Sequence, residues 1–335
     1  MKISRSIIAV DSHTMGEPTR IVIGGIPNIP GKTMPEKRDY MTKHMGHIRT
    51  ALMHEPRGHS DMFGALITAP TVPEADFGII FMDSGGYLNM CGHGTIGACT
   101  VAVETGMVKV TEPETKLILD TPAGIVNAKV KVKDGKAKGV TFKNVPAFLY
   151  KQDVKINVGP FGEIALDIAF GGSFFAILPA EELGLKVERQ YAQRLIEAGM
   201  SILEQANKDI QVKHPEKPHI NTIDLVEITD KLNEPGVCSK NAVIFGEKSL
   251  DRSPCGTGTC AKMAALYSHG ELQLNQEFIN ESILGTRFTG RLVEKTKVAK
   301  FDAVIPEITG RAFITGVNHY MIDDEDPLKY GFTLR

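Results

Sequence analysis

Apolar-leaning residues recur at i, i+3, i+4 and i+7 in two places: Ile96, Cys99, Thr100 and Val103, then Cys260, Met263, Ala264 and Tyr267. That spacing lays one buried stripe along a helix. Each run follows a Cys-Gly-x-Gly-Thr segment and ends near a glycine, Gly106 or Gly270, where a helix C-terminus favours one. Upstream, the short apolar runs Phe77–Met82 and Ala242–Phe245 predict buried strands. Each half of the chain therefore predicts strand, loop, Cys-Gly-x-Gly-Thr and a helix of about three turns. Cys91 with Cys255, Phe81 with Phe245 and Gly106 with Gly270 are all 164 positions apart, about half the chain. The chain reads as two pseudo-symmetric α/β halves.

Much of the remainder predicts strands. Val126 to Val132 alternates apolar and polar residues, and Asp134-Gly135 is a strong hairpin signal before Val140–Phe142. Glu163 to Leu178 is strand-like around Gly171-Gly172, and Arg287 to Val298 partly alternates. Arg189 to Asn207 predicts a helix with Leu195, Ile196, Met200 and Leu203 on its inner side. Lys208 to Pro218 reads as a surface connection. These signals put a first lobe at 1–150 and a second at 151–335. Whether a last strand near 311–335 packs back on the first lobe stays open.

Composition narrows the function. The 335 residues carry 38 basic and 40 acidic side chains, a formal net charge of −2, so no basic field awaits nucleic acid or anionic lipid. Hydrophobic residues at 42% and charged residues at 23% fit a soluble globular protein. The longest run lacking Asp, Glu, Lys and Arg, Ser84 to Val103, is too glycine-rich and polar for a membrane span. The N-terminus lacks the features of a signal peptide. Five cysteines are too few and odd in number for a disulfide scaffold, which points to a cytoplasmic protein with reduced thiols.

Two of those thiols sit where chemistry is expected. Cys91 and Cys255 each precede a predicted helix, at the positive end of its dipole, where a thiolate is favoured. The adjoining glycines leave backbone amides open to a carboxylate. If the halves face each other, the thiols reach opposite sides of one small ligand. Inverting a stereocentre by proton exchange needs a base on one face and an acid on the other. A carbanion next to a carboxylate delocalises into its oxygens, which backbone donors stabilise, so no electron-sink cofactor is strictly required.

Four stretches carry a family resemblance: Asp11-Ser-His-Thr-Met-Gly-Glu-Pro-Thr-Arg20, Glu55-Pro-Arg-Gly-His-Ser-Asp-Met-Phe-Gly64, Gly86-Tyr-Leu-Asn-Met-Cys-Gly-His-Gly-Thr95 and Asp251-Arg-Ser-Pro-Cys-Gly-Thr-Gly-Thr259. Over essentially its full length the chain resembles the proline racemase and hydroxyproline epimerase family. The resemblance implies an α/β (α+β) architecture of two lobes with the diaminopimelate epimerase-like fold, an active site in the cleft between them, a homodimer, and no cofactor or metal. It makes Cys91 and Cys255 the paired acid/base thiols. Gly92, His93, Gly256 and Thr257 would hold the substrate carboxylate, and Asp251 would receive the amine. Family members that dehydrate trans-3-hydroxyproline are similar but carry Thr at the position of Cys255. Both cysteines present here point to racemisation or epimerisation. Phe63, Phe245 and Leu225 would form an apolar wall suited to a plain pyrrolidine ring, since a hydroxyl there would lack a partner.

Plainer readings exist for each residue. Cys91 and Cys255 can be core thiols, and structural roles are expected for Cys99 on an apolar helix face, Cys238 in a polar connection and Cys260 after the second motif. His93 can fill space, and Asp251 can cap a loop. His54 and His59 are five apart across Pro56 and Gly58, which excludes a zinc-protease helix. The competing functions are a 4-hydroxyproline 2-epimerase, or a ligand-binding or thiol-redox protein on the same scaffold. Two thiols facing one small substrate come within disulfide range when the site is empty. Oxidant is then expected to inactivate the protein, proline to protect it and reductant to restore it. Inactivation that leaves both thiols reduced by mass spectrometry would overturn this expectation.

Overall fold

The computed structural model describes residues 3–235, 237–246 and 248–334. In chain order it contains β1 (Ile3–Thr14), β2 (Glu17–Gly24), α1 (Met34–His44), α2 (Gly46–Met53), β3 (Phe63–Thr68), β4 (Phe77–Asp83), β5 (Tyr87–Leu88), α3 (Gly92–Glu104), β6 (Glu114–Thr121), β7 (Gly124–Lys133) and β8 (Lys136–Lys143). There follow β9 (Phe148–Asn157), β10 (Glu163–Phe170), β11 (Phe174–Pro179), α4 (Ala192–Asp209), β12 (Ile223–Lys231), β13 (Val237–Phe245), β14 (Ser249–Leu250) and α5 (Gly256–Ser268). The chain ends with β15 (Phe278–Ser282), β16 (Arg287–Val298), β17 (Phe301–Gly310) and β18 (Ala312–Asp323). No helix among the described residues is long and apolar enough to cross a membrane.

Two compact units divide the chain: Met1–Phe142 with Gly310–Arg335, and Lys143–Thr309. In the first, strand order is β18-β1-β2-β3-β4-β6-β7-β8, antiparallel except at β2–β3 and β4–β6, with β5 paired to β4. In the second it is β9-β10-β11-β12-β13-β15-β16-β17, antiparallel except at β11–β12 and β13–β15, with β14 paired to β13. The two patterns superimpose strand for strand. β18 fills the place in the first unit that β9 fills in the second, so the C-terminal strand must return to complete the first sheet.

This return is tied down in part by one ion pair. Asp11 and Arg20 face each other across β1 and β2, joined by two hydrogen bonds of 2.9 Å. Tyr320 on β18 donates its hydroxyl to Asp11, and its ring lies 4.3 Å from the Arg20 guanidinium carbon. The expected lobe limits of 1–150 and 151–335 therefore shift at both ends. Residues 143–150 join the second unit because β9 pairs with β10 and the Phe148 ring stacks on Phe170.

The hairpin signal at Asp134-Gly135 is realised as a turn with both residues at positive φ. Helix α3 is buried on every side from Gly92 to Val103, rather than along one stripe. It packs on β1, β2, β3, β7 and β18, as α5 packs on β9, β10, β11 and β16. Both helices close in the same way. Gly106 and Gly270 take positive φ, and the next residues, Met107 and Glu271, donate to Ala102 and Leu266.

Helix α4 departs from its expected face. The side against β12 and β13 is Leu195, Ala198, Gly199, Ile202 and Ala206, while Ile196, Met200 and Leu203 are only half-buried at its margin. Small residues let the helix axis approach the sheet, and the bulky ones flank the contact. Replacing Ile202 with Ala is expected to cost roughly 2–5 kcal/mol in urea unfolding. Ile196→Ala should cost clearly less, because its side chain is only half-buried. Equal losses would restore the face expected from the sequence.

Candidate active site

In the first unit, β5 leads through a turn to Cys91, the N-cap of α3. Its Sγ accepts the Gly94 N–H at 3.3 Å, and its carbonyl accepts the Thr95 N–H and hydroxyl. A thiol thus occupies the place usually taken by a Ser, Thr or Asp oxygen. His93 Nδ1 lies 3.3 Å from the same Sγ. The imidazole meets the Phe63 ring edge-on at 4.3 Å, and Thr14 donates its hydroxyl to the His93 carbonyl. Gly92 and His93 place their amides in the first turn, at the positive end of the helix. Phe63, Cys91, Gly92 and His93 are therefore brought together.

The second unit repeats the plan with β14, Cys255 and α5. Cys255 Sγ accepts the Gly258 N–H at 3.3 Å and lies 3.8 Å from the Thr257 hydroxyl. Its carbonyl accepts the Thr259 N–H and hydroxyl. Asp251 is buried just upstream, its Oδ1 accepting the Ser253 N–H, while the Ser253 hydroxyl accepts the Cys255 N–H. Leu225 packs in the apolar cluster that includes Cys255, and Phe245 stands opposite it in the β12–β13 register. Asp251, Cys255, Gly256, Thr257 and Leu225 gather here, with Phe245 half-exposed at the strand end. Cys99 and Cys260 are buried inside α3 and α5, where burial pushes both thiols up, Cys260 to about 12. Cys238 lies within β13 instead of the expected connection.

The two helix ends differ in detail. Cys91 has an ordinary extended backbone with φ of −146°, whereas Cys255 sits at +59°, a strained value for a residue with a Cβ. The helix-end expectation of a favoured thiolate fails for Cys255. Burial raises its titration point most, the carboxylates of Asp251 and Glu227 add to it, and the Gly258 amide and Thr257 hydroxyl only partly oppose them.

Behind Cys255 lies a polar cluster that sequence patterns missed. Asn241 Nδ2 donates to Glu227 Oε1 and to the Pro254 carbonyl, both at 2.8 Å. Asn280 Nδ2 donates to the Thr259 hydroxyl and to that same carbonyl. All four side chains are essentially inaccessible to solvent. They come from β12, β13, β15 and α5, so no local spacing joins them. The one sequence signal was a Glu in the otherwise apolar core of β12.

The sequence model of the family described as "Proline racemase" matches residues 9–333. A proline racemase of Clostridioides difficile is 58% identical over 335 residues, covering all of both chains. A 4-hydroxyproline 2-epimerase of Streptosporangium roseum is 48% identical over 334 residues, again covering all of both. Among solved structures, a hydroxyproline epimerase from Agrobacterium vitis with bound trans-4-hydroxy-L-proline matches with a TM-score of 0.92 at 35% identity, covering 100% of this chain and 97% of that one. Twin cysteine-capped helices, one sheet plan used twice and end-to-end similarity agree: this chain belongs to the proline racemase family.

Proposed function

We propose that this chain interconverts L- and D-proline, with Cys91 and Cys255 as the acid and base on the two faces of the substrate Cα. One Sγ, as thiolate, takes the Cα proton and becomes S–H. The C–H electron pair delocalises into the substrate carboxylate, and the opposite S–H delivers its proton to the other face. For the other enantiomer the roles reverse. The observation that carries this reading is the buried cysteine N-cap, present once in each unit.

First-turn amides at Gly92, His93, Gly256 and Thr257 suit the charge that grows on the carboxylate oxygens. Asp251 suits the substrate ammonium. That cation would offset the carboxylate that helps hold Cys255 as a thiol, so binding itself eases Cys255 toward the thiolate needed in one direction. The chemistry calls for no cofactor. Thiols that must stay reduced favour a cytoplasmic setting, and the homodimer is carried by the family resemblance alone.

Plain proline is preferred over 4-hydroxyproline because Phe63 and Leu225 present apolar surface, and because identity is 58% to a proline racemase against 48% to an epimerase. A second reading, 4-hydroxyproline 2-epimerase, is supported by that epimerase and by the Agrobacterium vitis structure. Proton NMR of L-proline and trans-4-hydroxy-L-proline together in heavy water, with reductant and no added cofactor, separates them. Loss of the proline Cα signal with D-proline accumulating is expected. Exchange confined to hydroxyproline selects the second reading. Cys91→Ser and Cys255→Ser should each slow racemisation by about a thousandfold or more, and full activity in either variant would sink the two-thiol assignment.

A further inference from the structure

The polar cluster behind Cys255 has no counterpart in the first unit. The registers of β3, β4 and β6 match those of β12, β13 and β15, which pairs Ile67 with Glu227, Phe77 with Asn241 and Leu117 with Asn280. The fold is thus served at those positions by three apolar side chains, with Phe77 and Leu117 buried. A Glu with 0% exposure is costly where an Ile suffices. The cluster is also incompletely satisfied. Asn241 Oδ1 and Asn280 Oδ1 are buried acceptors with no hydrogen-bond partner among the described residues, and the Asn280 amide supports the Glu227 carboxyl less than Asn241 does.

Geometry connects this cluster to the thiol by two routes. One runs from Glu227 Oε1 through Asn241 Nδ2 to the Pro254 carbonyl, which immediately precedes Cys255 and also accepts from Asn280 and Thr259. Those bonds brace the peptide that enters the positive-φ residue. The other runs across Gly258. A Cβ there would stand 3.1 Å from both Glu227 Oε2 and Cys255 Sγ, so glycine leaves the carboxyl and the sulfur facing a common gap.

We propose that Glu227 is a positioning residue that acts through Cys255, its buried carboxyl biasing the shared proton toward that thiol before substrate arrives. This rests on the two-thiol reading and deepens it: the pair shares one proton, either thiol holds it depending on the enantiomer to be bound, and a carboxyl beside one of them biases that distribution. The local charges are consistent. Asp251 faces Cys255 as a second carboxylate, and Lys262, itself depressed by burial, is the cation nearest in effect to Glu227, with Asp167, Glu271 and Lys231 acting on that lysine. Burial pushes Glu227 up to about 7, so at alkaline pH it is a buried carboxylate that joins Asp251 in disfavouring the Cys255 thiolate. At the first helix end the neighbour of the sulfur is instead the His93 imidazole.

The test uses the full-length protein without substrate. Iodoacetamide labelling across a pH series, followed by digestion and mass spectrometry, reports Cys91 and Cys255 separately. Glu227→Gln keeps the volume and an acceptor for Asn241, and Glu227→Ile copies the first unit. In both, Cys255 labelling should move to lower pH by about one unit, roughly tenfold faster at a fixed pH, while the Cys91 profile stays put. The alkaline limb of kcat/KM for L-proline should move down with it, a shift that a purely structural role would not produce. Folding is checked by melting. An acid whose folded value lies above its unfolded one binds more protons when folded, so the wild type should lose Tm relative to Glu227→Gln as pH rises from about 4.5 to 7. A folded Glu227→Gln protein with wild-type labelling and an unmoved limb overturns the proposal. A wild type that exchanges no proline Cα proton overturns the racemase reading instead, and the labelling then still decides whether Glu227 governs Cys255.

Discussion

A helix that begins inside a protein brings with it several N–H groups that no turn of its own can satisfy. This chain does so twice, and in both places a cysteine sulfur accepts the third-residue amide. Sulfur is a weak acceptor, and an oxygen-bearing cap would serve stability better. The neighbouring elements are built around that concession. A short hairpin strand delivers each cysteine, a glycine follows it, and a threonine hydroxyl returns to the cysteine carbonyl. The capping thiol and the first-turn amides end up side by side, which is what a reaction passing charge into a carboxylate requires.

The same plan is used unequally. At Cys91 the sulfur meets an imidazole and the surrounding strand positions are apolar. At Cys255 the backbone is forced to positive φ, and a buried carboxyl and two amides occupy the corresponding places. A protein copied from one half to the other has no need of such a difference for folding. The reaction supplies one. A proton exchange between two faces works with a single mobile proton, and unequal surroundings at the two thiols set how often each one holds it between turnovers.

Much of this was legible in the sequence because it depends on local rules. The 164-residue offset, the helix-closing glycines and the Asp134-Gly135 hairpin need only spacing and backbone preference. Other features were not. Helix α1 buries Met34, Lys37 and Met41, and a lysine whose Nζ donates to the Ala69 carbonyl breaks the apolar stripe that would have announced it. The expected boundary near residue 150 lies at 142 in the structure, and the return of the last strand stayed open in the sequence because the repeat is circularly shifted. The first unit begins with the counterpart of the second unit's second strand, so its missing partner lies more than three hundred residues away and is recognised through Tyr320 and Asp11.

The Glu227 cluster shows the harder limit. Its members lie on three strands and a helix, and each taken singly is an unremarked polar residue. What gives them meaning is register, since only the matched strand pairings reveal that Ile67, Phe77 and Leu117 hold the same places. An internal repeat therefore acts as its own control. Where the two copies agree, as at the cysteine caps, the fold or the shared chemistry explains the residue. Where one copy keeps a buried carboxyl that the other replaces with a hydrocarbon, packing is removed as the explanation, and the thiol beside it is what remains.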